Sequence, residues 1–350
     1  MEGDQRALTK KISPHKIIYP MLIGFAVVGY MLYKEFDRKA FEAIVFSGWS
    51  VVWLFVAACC MLIRDIGYVI RIRVLSDEQL SWLQSIRVVL LWEFTSAVTP
   101  SAIGGTSIAI LFVNKEGIKV GKSSAMVMAT SLLDELYFII MFPLILLCVS
   151  RYGLWDIADE QGLGALFWVA IAGYSVKLVY FLAVSYGLFR NPRGLKWLLM
   201  QCFRLRVLRK WRLDANEAGT DIIRNSHELK QKPFSFWLKT FGATFLSWTA
   251  RYWVVNALLV AFWMGRYGWI DHLLIFARQL VMWIMMLVSP TPGGSGFAEY
   301  VFAKYLGDFL PDAGVAVAMA ILWRLISYYP YLFVGAFMVP KWVKKHFGKK

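Results

Sequence analysis

Six apolar runs constrain this chain more than any other feature. They are Ile17–Tyr33, Ala43–Ile63, Ser123–Ser150, Gly164–Leu188, Thr240–Trp263 and Gly314–Pro340. Each is long enough to cross the hydrocarbon core of a bilayer, about 30 Å thick, as a helix. In hydrocarbon every backbone N–H and C=O must be satisfied within the fold, so such runs become helices. The composition agrees: 59% hydrophobic residues and a mean hydropathy of +0.54 exceed what an ordinary soluble domain carries. The first sixteen residues are polar and basic, with no small-residue cleavage site after the first apolar run, so no cleaved signal peptide is expected. The fold class predicted is an all-α polytopic membrane protein with about six spans.

Charge orients these spans. Arg6, Lys10, Lys11 and Lys16 precede the first run, and Lys341, Lys344, Lys345, Lys349 and Lys350 follow the last. The segment Phe189–Ser235 carries eleven Lys and Arg, whereas Arg151–Gly162 carries Asp156, Asp159 and Glu160. By the positive-inside rule both termini and the long basic loop are cytoplasmic, in a multi-pass protein of an inner (cytoplasmic) membrane. The +15 net charge is thus accounted for by topology and anionic inner-leaflet lipid, and no nucleic acid is expected. Residues 1–340 form one transmembrane domain, with halves 1–188 and 236–340 joined by the basic loop 189–235, and 341–350 are a basic cytoplasmic tail. Within that loop Arg193–Arg212 mixes Trp, Leu and Phe with arginines, which predicts a basic amphipathic helix on the membrane surface.

Two further segments do not fit as ordinary spans. In Ser81–Asn114 a leg reaches Thr99-Pro100 and a second leg runs from Gly105 to Val113; both flanks are basic, Arg71 and Arg73 before and Lys115, Lys119 and Lys122 after. The legs are too short to span. In Asp271–Gly307 the break is Pro290-Thr291-Pro292-Gly293-Gly294-Ser295-Gly296. Proline removes a backbone donor and glycine adds freedom, so neither continues a helix. Inside a bilayer a broken backbone persists only where protein buries it or a polar cavity receives it. The two tips are alike, Thr-Pro followed by glycines. This predicts two opposed re-entrant helical hairpins, hence an inverted repeat with a site between the tips. A tilted near-span is the alternative for Asp271–Gly307, whose first leg is longer.

Charges inside apolar segments are costly and mark function unless they merely pair. They are Glu93, Asp134, Glu135, Lys177, Arg251, Arg278, Glu299 and Arg324. Asp134 and Glu135, adjacent on a helix, diverge by about 100°, so one of them is expected to face a site. Lys177 is the weakest candidate because a long stem lets the ammonium snorkel. Glu299 falls in the first turn after the break, where the helix dipole favours an anion. The amides of Gly293, Gly294 and Gly296 suit an anionic group, and Arg278 and Arg324 supply forked donors. The expected binding set is therefore Pro292, Gly293, Gly294, Gly296, Arg278, Arg324 and Arg251, with Pro100, Gly104 and Gly105 at the first tip. Glu299, Glu93, Asp134 and Glu135 are the candidates for charge relay or proton coupling.

The run Pro290–Gly296 with Glu299, and then Trp323-Arg324-Leu325-Ile326-Ser327-Tyr328-Tyr329-Pro330, resembles the flippase-like transmembrane domain of bacterial lysylphosphatidylglycerol synthases, the multiple peptide resistance factors, and their free-standing relatives. The resemblance covers residues 15 to 340. It departs in the first half, where relatives follow their first proline with Gly-Glu and an Arg on the next helix; here Gly104-Gly105-Thr106-Ser107-Ile108-Ala109 has neither charge. Glu135 corresponds to an acidic position of the family. The resemblance implies movement of a lipid with a phosphate-bearing headgroup between leaflets. Lipid aminoacylation belongs to a separate soluble domain in the bifunctional relatives, and only residues 341–350 follow the last apolar run.

Two other functions stay open at this point. A membrane enzyme acting on polyprenyl-phosphate substrates would use Asp159 and Glu160, and a non-transporting partner of a lipid synthase would only pair its buried charges. Gly293-Gly294-Ser295-Gly296 also matches a pattern of intramembrane serine proteases, but no histidine follows in the last span to act as base. Cys59, Cys60, Cys148 and Cys202, and His15, His227, His272 and His346, have no metal-site or disulfide spacing. No phosphate-binding loop is present, so no nucleotide, cofactor or metal is expected. The expected partners are membrane lipids, with a homo-oligomer or a lipid-synthesis protein as further alternatives.

Overall fold

Ser81 and Gln84 open a helix by exchanging bonds: Ser81 N–H donates to Gln84 Oε1 at 2.9 Å, and Gln84 N–H donates to Ser81 Oγ at 3.3 Å. Such boxes, with Asp312 accepting from Gly314 N–H and Asn191 from Gly194 N–H, satisfy amides that a helix start leaves unpaired. A computed structural model describes residues 46–98, 102–149, 154, 163–204, 212–263, 266–286, 294 and 296–347. The expected first span Ile17–Tyr33, the acidic loop residues, Pro100, Pro292 and Gly293 lie outside these described residues.

Among the described residues the chain forms twelve α-helices. They are α1 Gly48–Leu75, α2 Trp82–Val98, α3 Ala102–Lys115, α4 Val120–Cys148, α5 Leu163–Phe189, α6 Pro192–Cys202, α7 Arg212–Lys230, α8 Phe234–Phe262, α9 Trp269–Met286, α10 Phe297–Leu306, α11 Ala313–Ser327 and α12 Tyr329–Phe347. Among the described residues six segments are long and apolar enough to cross a membrane: α1, α4, α5, α8, α9 and the stretch Ala313–His346. Side chains such as Phe55, Leu62, Val176 and Leu182 are left exposed on the outside of the bundle, as lipid-facing positions require. The protein is an all-α polytopic membrane protein.

The bundle is organised on α1 and α8. They run antiparallel: Phe46 lies against Phe262, Ser247 Oγ donates to Arg64 O at 2.9 Å, and Arg71 donates to Thr244 Oγ1 at 3.2 Å. Gly67 sets how close they come. A Cβ there would stand 2.7 Å from the Ala243 carbonyl oxygen and 2.2 Å from Ser247 Oγ. Small residues allow such backbone approach in membrane helix pairs.

Each of these helices is followed by a helical hairpin at its own C-terminal end. The α2–α3 hairpin has legs of 17 and 14 residues. Its two ends stay together, since Gln84 Nε2 donates to Glu116 O at 3.0 Å and Lys122 pairs with Asp77 at 2.7 Å. The same Asp77 pairs with Lys232, just before α8. The α9–α10 hairpin closes at the opposite end of the α1/α8 pair. There Tyr267 Oη donates to Phe309 O at 2.6 Å. Because α1 and α8 are antiparallel, the two hairpins point toward each other from opposite ends. Each hairpin then packs on the next helix, α3 on α4 and α10 on α11.

Several boundaries differ from the sequence reading. Helix α1 runs to Leu75 rather than ending at Ile63, so Arg64, Asp65 and Arg71 lie inside it. Arg71, expected on a cytoplasmic flank, is buried. The expected span Gly314–Pro340 is broken at Tyr328 into α11 and α12. Pro330 sits in the first turn of α12, where a missing N–H costs little, and Tyr328 Oη donates to Ala97 O at the tip end of α2. Gly104 and Gly105, expected at a tip, fall inside α3, which starts at Ala102. Helix α9 has 18 residues and is long enough to span, in keeping with the near-span alternative.

Candidate functional site

The hairpin ends and the α1/α8 pair enclose two adjoining polar cavities. One of about 310 Å³ is bounded by Ala97 near the first tip, Met286 and Ala298 on either side of the second break, and Arg324 with Tyr328. The other, about 300 Å³, lies against Arg64, Arg71, Asp134 and Glu135. Glu93, Ser96, Arg251 and Trp283 line both. A third cavity of about 430 Å³ between α4, α5 and α8 is apolar, lined by Leu133, Phe181 and Phe241 among others, and holds no headgroup chemistry.

The second break ends in an ion pair. Gly296 takes a positive φ of 80°, open to glycine at little cost, and hands the chain to α10. Its N–H donates to Glu299 Oε2 at 2.7 Å, while Arg324 Nε lies 3.1 Å from Oε1. Glu299 is 1% exposed. The Arg324 guanidinium also lies 3.5 Å from the Tyr328 ring centroid, a cation–π contact. Gly294, with φ 70°, has Met286 Cε 2.2 Å from where a Cβ would stand.

Three more buried cations are paired with carboxylates. Arg64, 1% exposed, meets Asp65 at 2.9 Å and Glu93 at 2.6 Å, and lies over the rings of Tyr68 and Tyr331. Tyr331 Oη donates to Asp65 at 2.9 Å. Asp134 accepts from Arg71 and from Trp248 Nε1, the latter at 2.7 Å. Lys177 donates to both oxygens of Glu135, at 2.8 and 2.6 Å, and its ammonium sits 3.6 Å from the Trp283 ring centroid. Burial of this kind is tolerable only with such partners, because an isolated ion in low dielectric costs several kcal/mol.

The sequence candidates therefore separate. Arg324, Glu93, Arg251, Asp134 and Glu135 line the cavities, and Glu299 is paired to Arg324 without lining either. Asp134 and Glu135 both line the second cavity, where one had been expected to face a site; Lys177 joins as a buried partner rather than snorkelling. Arg278 does not complete an anion site with Arg324. It donates to Tyr305 O and Asp308 at 2.9 Å, tying the base of the second hairpin, and lines neither polar cavity. Arg64, Asp65, Arg71, Tyr252 and Tyr331 escaped the sequence reading. One signal was present: Arg64, Tyr68 and Arg71 recur at four and three residues, a single helix face. Among the described residues no group of three His, Cys, Asp or Glu is arranged to hold a metal ion.

The profile of the family described as the Lysylphosphatidylglycerol synthase TM region matches residues 17–335. The chain belongs to this family. The match takes in both hairpins, the α1/α8 pair and every residue of the paired cluster. A relative from Archaeoglobus fulgidus, a UPF0104 membrane protein, is 26% identical over 331 residues, covering 91% of this chain and 94% of the relative. No solved structure matches the chain. In this family member Gly296 and Glu299, which follow the Pro-Thr-Pro-Gly-Gly run, meet the Arg-Leu-Ile-Ser-Tyr-Tyr segment through Arg324.

Proposed function

We propose that the protein is a lipid translocase that moves a phosphate-bearing headgroup between leaflets while the acyl chains stay in lipid. The observation that carries this reading is the pair of polar cavities, walled by buried charges, at the facing ends of two helical hairpins inside an otherwise lipid-facing bundle. In this reading both hairpins are re-entrant, entering from opposite faces, and the halves 1–188 and 236–340 form an inverted repeat. The legs of the first hairpin, about 25 and 21 Å at 1.5 Å per residue, fall short of the hydrocarbon thickness. Rocking of one half against the other would expose the cavities to each side in turn. The Gly-rich break, Pro292 to Gly296, and the first tip, Pro100 to Gly105, would bound the path, with Arg324, Arg251, Glu93, Asp134 and Glu135 as its charged wall and Glu299 behind Arg324 as a relay. In this reading the side that carries the basic termini and the loop with α6 and α7 is cytoplasmic.

Leaflet exchange of labelled phospholipids in proteoliposomes tests this reading. Wild type is compared with Glu299→Gln and Arg324→Ala. Headgroup-dependent exchange, lost in both variants, is the expected result. Absence of exchange by monodisperse wild type across anionic, zwitterionic and polyprenyl-phosphate lipids would sink it.

A further inference from the structure

Arg251 differs from the other cations of the cluster. Arg64, Arg71, Lys177 and Arg324 each lie within ion-pair distance of a carboxylate. Arg251 sits half-buried on α8, lines both polar cavities, and has no carboxylate within that distance among the described residues; its guanidinium lies 5.3 Å from the Trp248 ring centroid. Polar atoms around it are also unpartnered. Tyr252 Oη at the first cavity, and Thr130 Oγ1, Arg64 Nε and Arg71 Nε at the second, are buried with no hydrogen-bond partner. A buried donor left unsatisfied costs about 1–3 kcal/mol.

The carboxylates are equally uneven. Asp65 is held by Arg64 and by Tyr331, Asp134 by Arg71 and Trp248, Glu135 by Lys177, and Glu299 by Gly296 and Arg324. Glu93 touches Arg64 alone among the described residues, and Arg64 is already shared with Asp65. Its side chain keeps 22% exposure and faces both cavities beside Arg251. Five cations, Arg64, Arg71, Lys177, Arg251 and Arg324, stand with five carboxylates, Asp65, Glu93, Asp134, Glu135 and Glu299, so the cluster is neutral as it stands.

We infer that Arg251 is the anion site, that its ligand is a monoanionic phosphate ester, and that Glu93 takes up one proton as the anion binds. The inference rests on the translocase reading for its ligand class. An anion seated on Arg251 would leave the low-dielectric cluster one charge negative, and a proton on one carboxylate restores neutrality. Glu93 is the carboxylate with the fewest partners to lose. The charged and titratable groups that share its cavities or stand beside it are Arg64, Asp65, Tyr68 and Arg71 from α1, Asp134 and Glu135 from α4, Arg251 and Tyr252 from α8, Arg324 from α11, Tyr331 from α12 and Tyr328 between these last two helices. From α3 only Lys115 titrates, at the base of the hairpin. Protonation frees Arg64 to hold Asp65 alone, so the proton costs one shared contact rather than an exclusive pair.

Titration calorimetry of the full-length protein in detergent, in two buffers of different ionisation enthalpy, measures affinity and proton uptake together. The probes are dihexanoyl phosphatidylglycerol, its deacylated headgroup glycerophosphoglycerol, and inorganic phosphate. Wild type is expected to bind the short-chain lipid with uptake of about one proton per anion. Arg251→Ala should weaken binding about tenfold or more, with Arg251→Lys intermediate, as for a lost charge-assisted bond. Glu93→Gln should bind without proton uptake and with affinity unchanged from pH 5 to pH 8. Equal binding by Arg251→Ala, uptake unchanged in Glu93→Gln, or no binding of any probe by wild type would overturn the inference. If Arg251→Ala does not purify as a monodisperse protein, Arg251→Lys and Glu93→Gln decide. Phosphate binding as tight as the lipid would keep the Arg251 site and count against a lipid ligand. Binding without leaflet exchange would sink the translocase reading and leave the site standing.

Discussion

Arg324 and Glu299 meet at 3.1 Å across the seam between α11 and α10, both withdrawn from solvent, and the same carboxylate receives the N–H of Gly296. One side chain thus closes the second hairpin's break and neutralises an arginine. Removing one partner leaves the other charge buried. Arg324→Ala is expected to destabilise the protein by about 3–5 kcal/mol. Glu299→Gln keeps an acceptor for Gly296 and should cost less than Glu299→Ala. Thermal unfolding in detergent checks the order; equal midpoints for wild type and Arg324→Ala would mean the pair contributes nothing.

The α1/α8 contact gives a prediction of opposite physical origin. Gly67→Ala places a methyl 2.7 Å from a backbone oxygen that cannot rotate away. The expected cost is about 1–3 kcal/mol of overpacking. Adding Ser247→Ala removes the nearer hydroxyl but leaves the Ala243 carbonyl, so the double variant should recover only part of the loss. Full recovery in a melting curve would show that the helices are free to move apart.

The sequence made the second hairpin legible and the first only in part. Glu299 and Arg324 stood out because the proline–glycine break has no tolerable place in hydrocarbon except beside a polar site. Arg64 and Arg71 did not, because hydropathy stops a span at its first charge. Their partners Glu93 and Asp134 are distant in the chain, and only the folded bundle brings them together. Tyr328 illustrates the same limit. Pro330 marks the helix break locally, but only the fold brings the Tyr328 hydroxyl to Ala97 on α2. Arg278 shows the converse, a well-placed charge spent on the hairpin's base at Asp308, whose side chain is 57% exposed.

Lys177 and Glu135 bridge α5 and α4, with the ammonium against Trp283. Lys177→Met strands Glu135 in a half-buried wall and should destabilise strongly. The double variant Lys177→Met with Glu135→Leu replaces the pair by packing and should lie closer to wild type, since buried pairs often add little over an apolar substitute. A double-mutant cycle by thermal melts measures this. Additive losses would mean that the two groups do not act as a unit.

Asp77 offers the pH-dependent prediction. It bridges Lys122 and Lys232, joining the first hairpin's base to the start of α8. Burial pushes its carboxyl up, but the hydrogen bonds from Lys122 and Lys232 outweigh this and hold it below its ordinary value. The unfolded carboxyl titrates near pH 3.9. A depressed folded value means the bridge stabilises above that pH and loses its contribution as pH falls through the folded value. With 36% of the side chain exposed, solvent screening limits the effect to under about 1 kcal/mol. Asp77→Asn should therefore lower the melting temperature slightly at pH 7, and the gap from wild type should close as pH falls below about 4 and through the lowered folded value. High salt should narrow the same gap at neutral pH. A gap independent of both pH and salt would assign the loss to the turn itself, where Asp77 holds a φ of 54°, rather than to its charge.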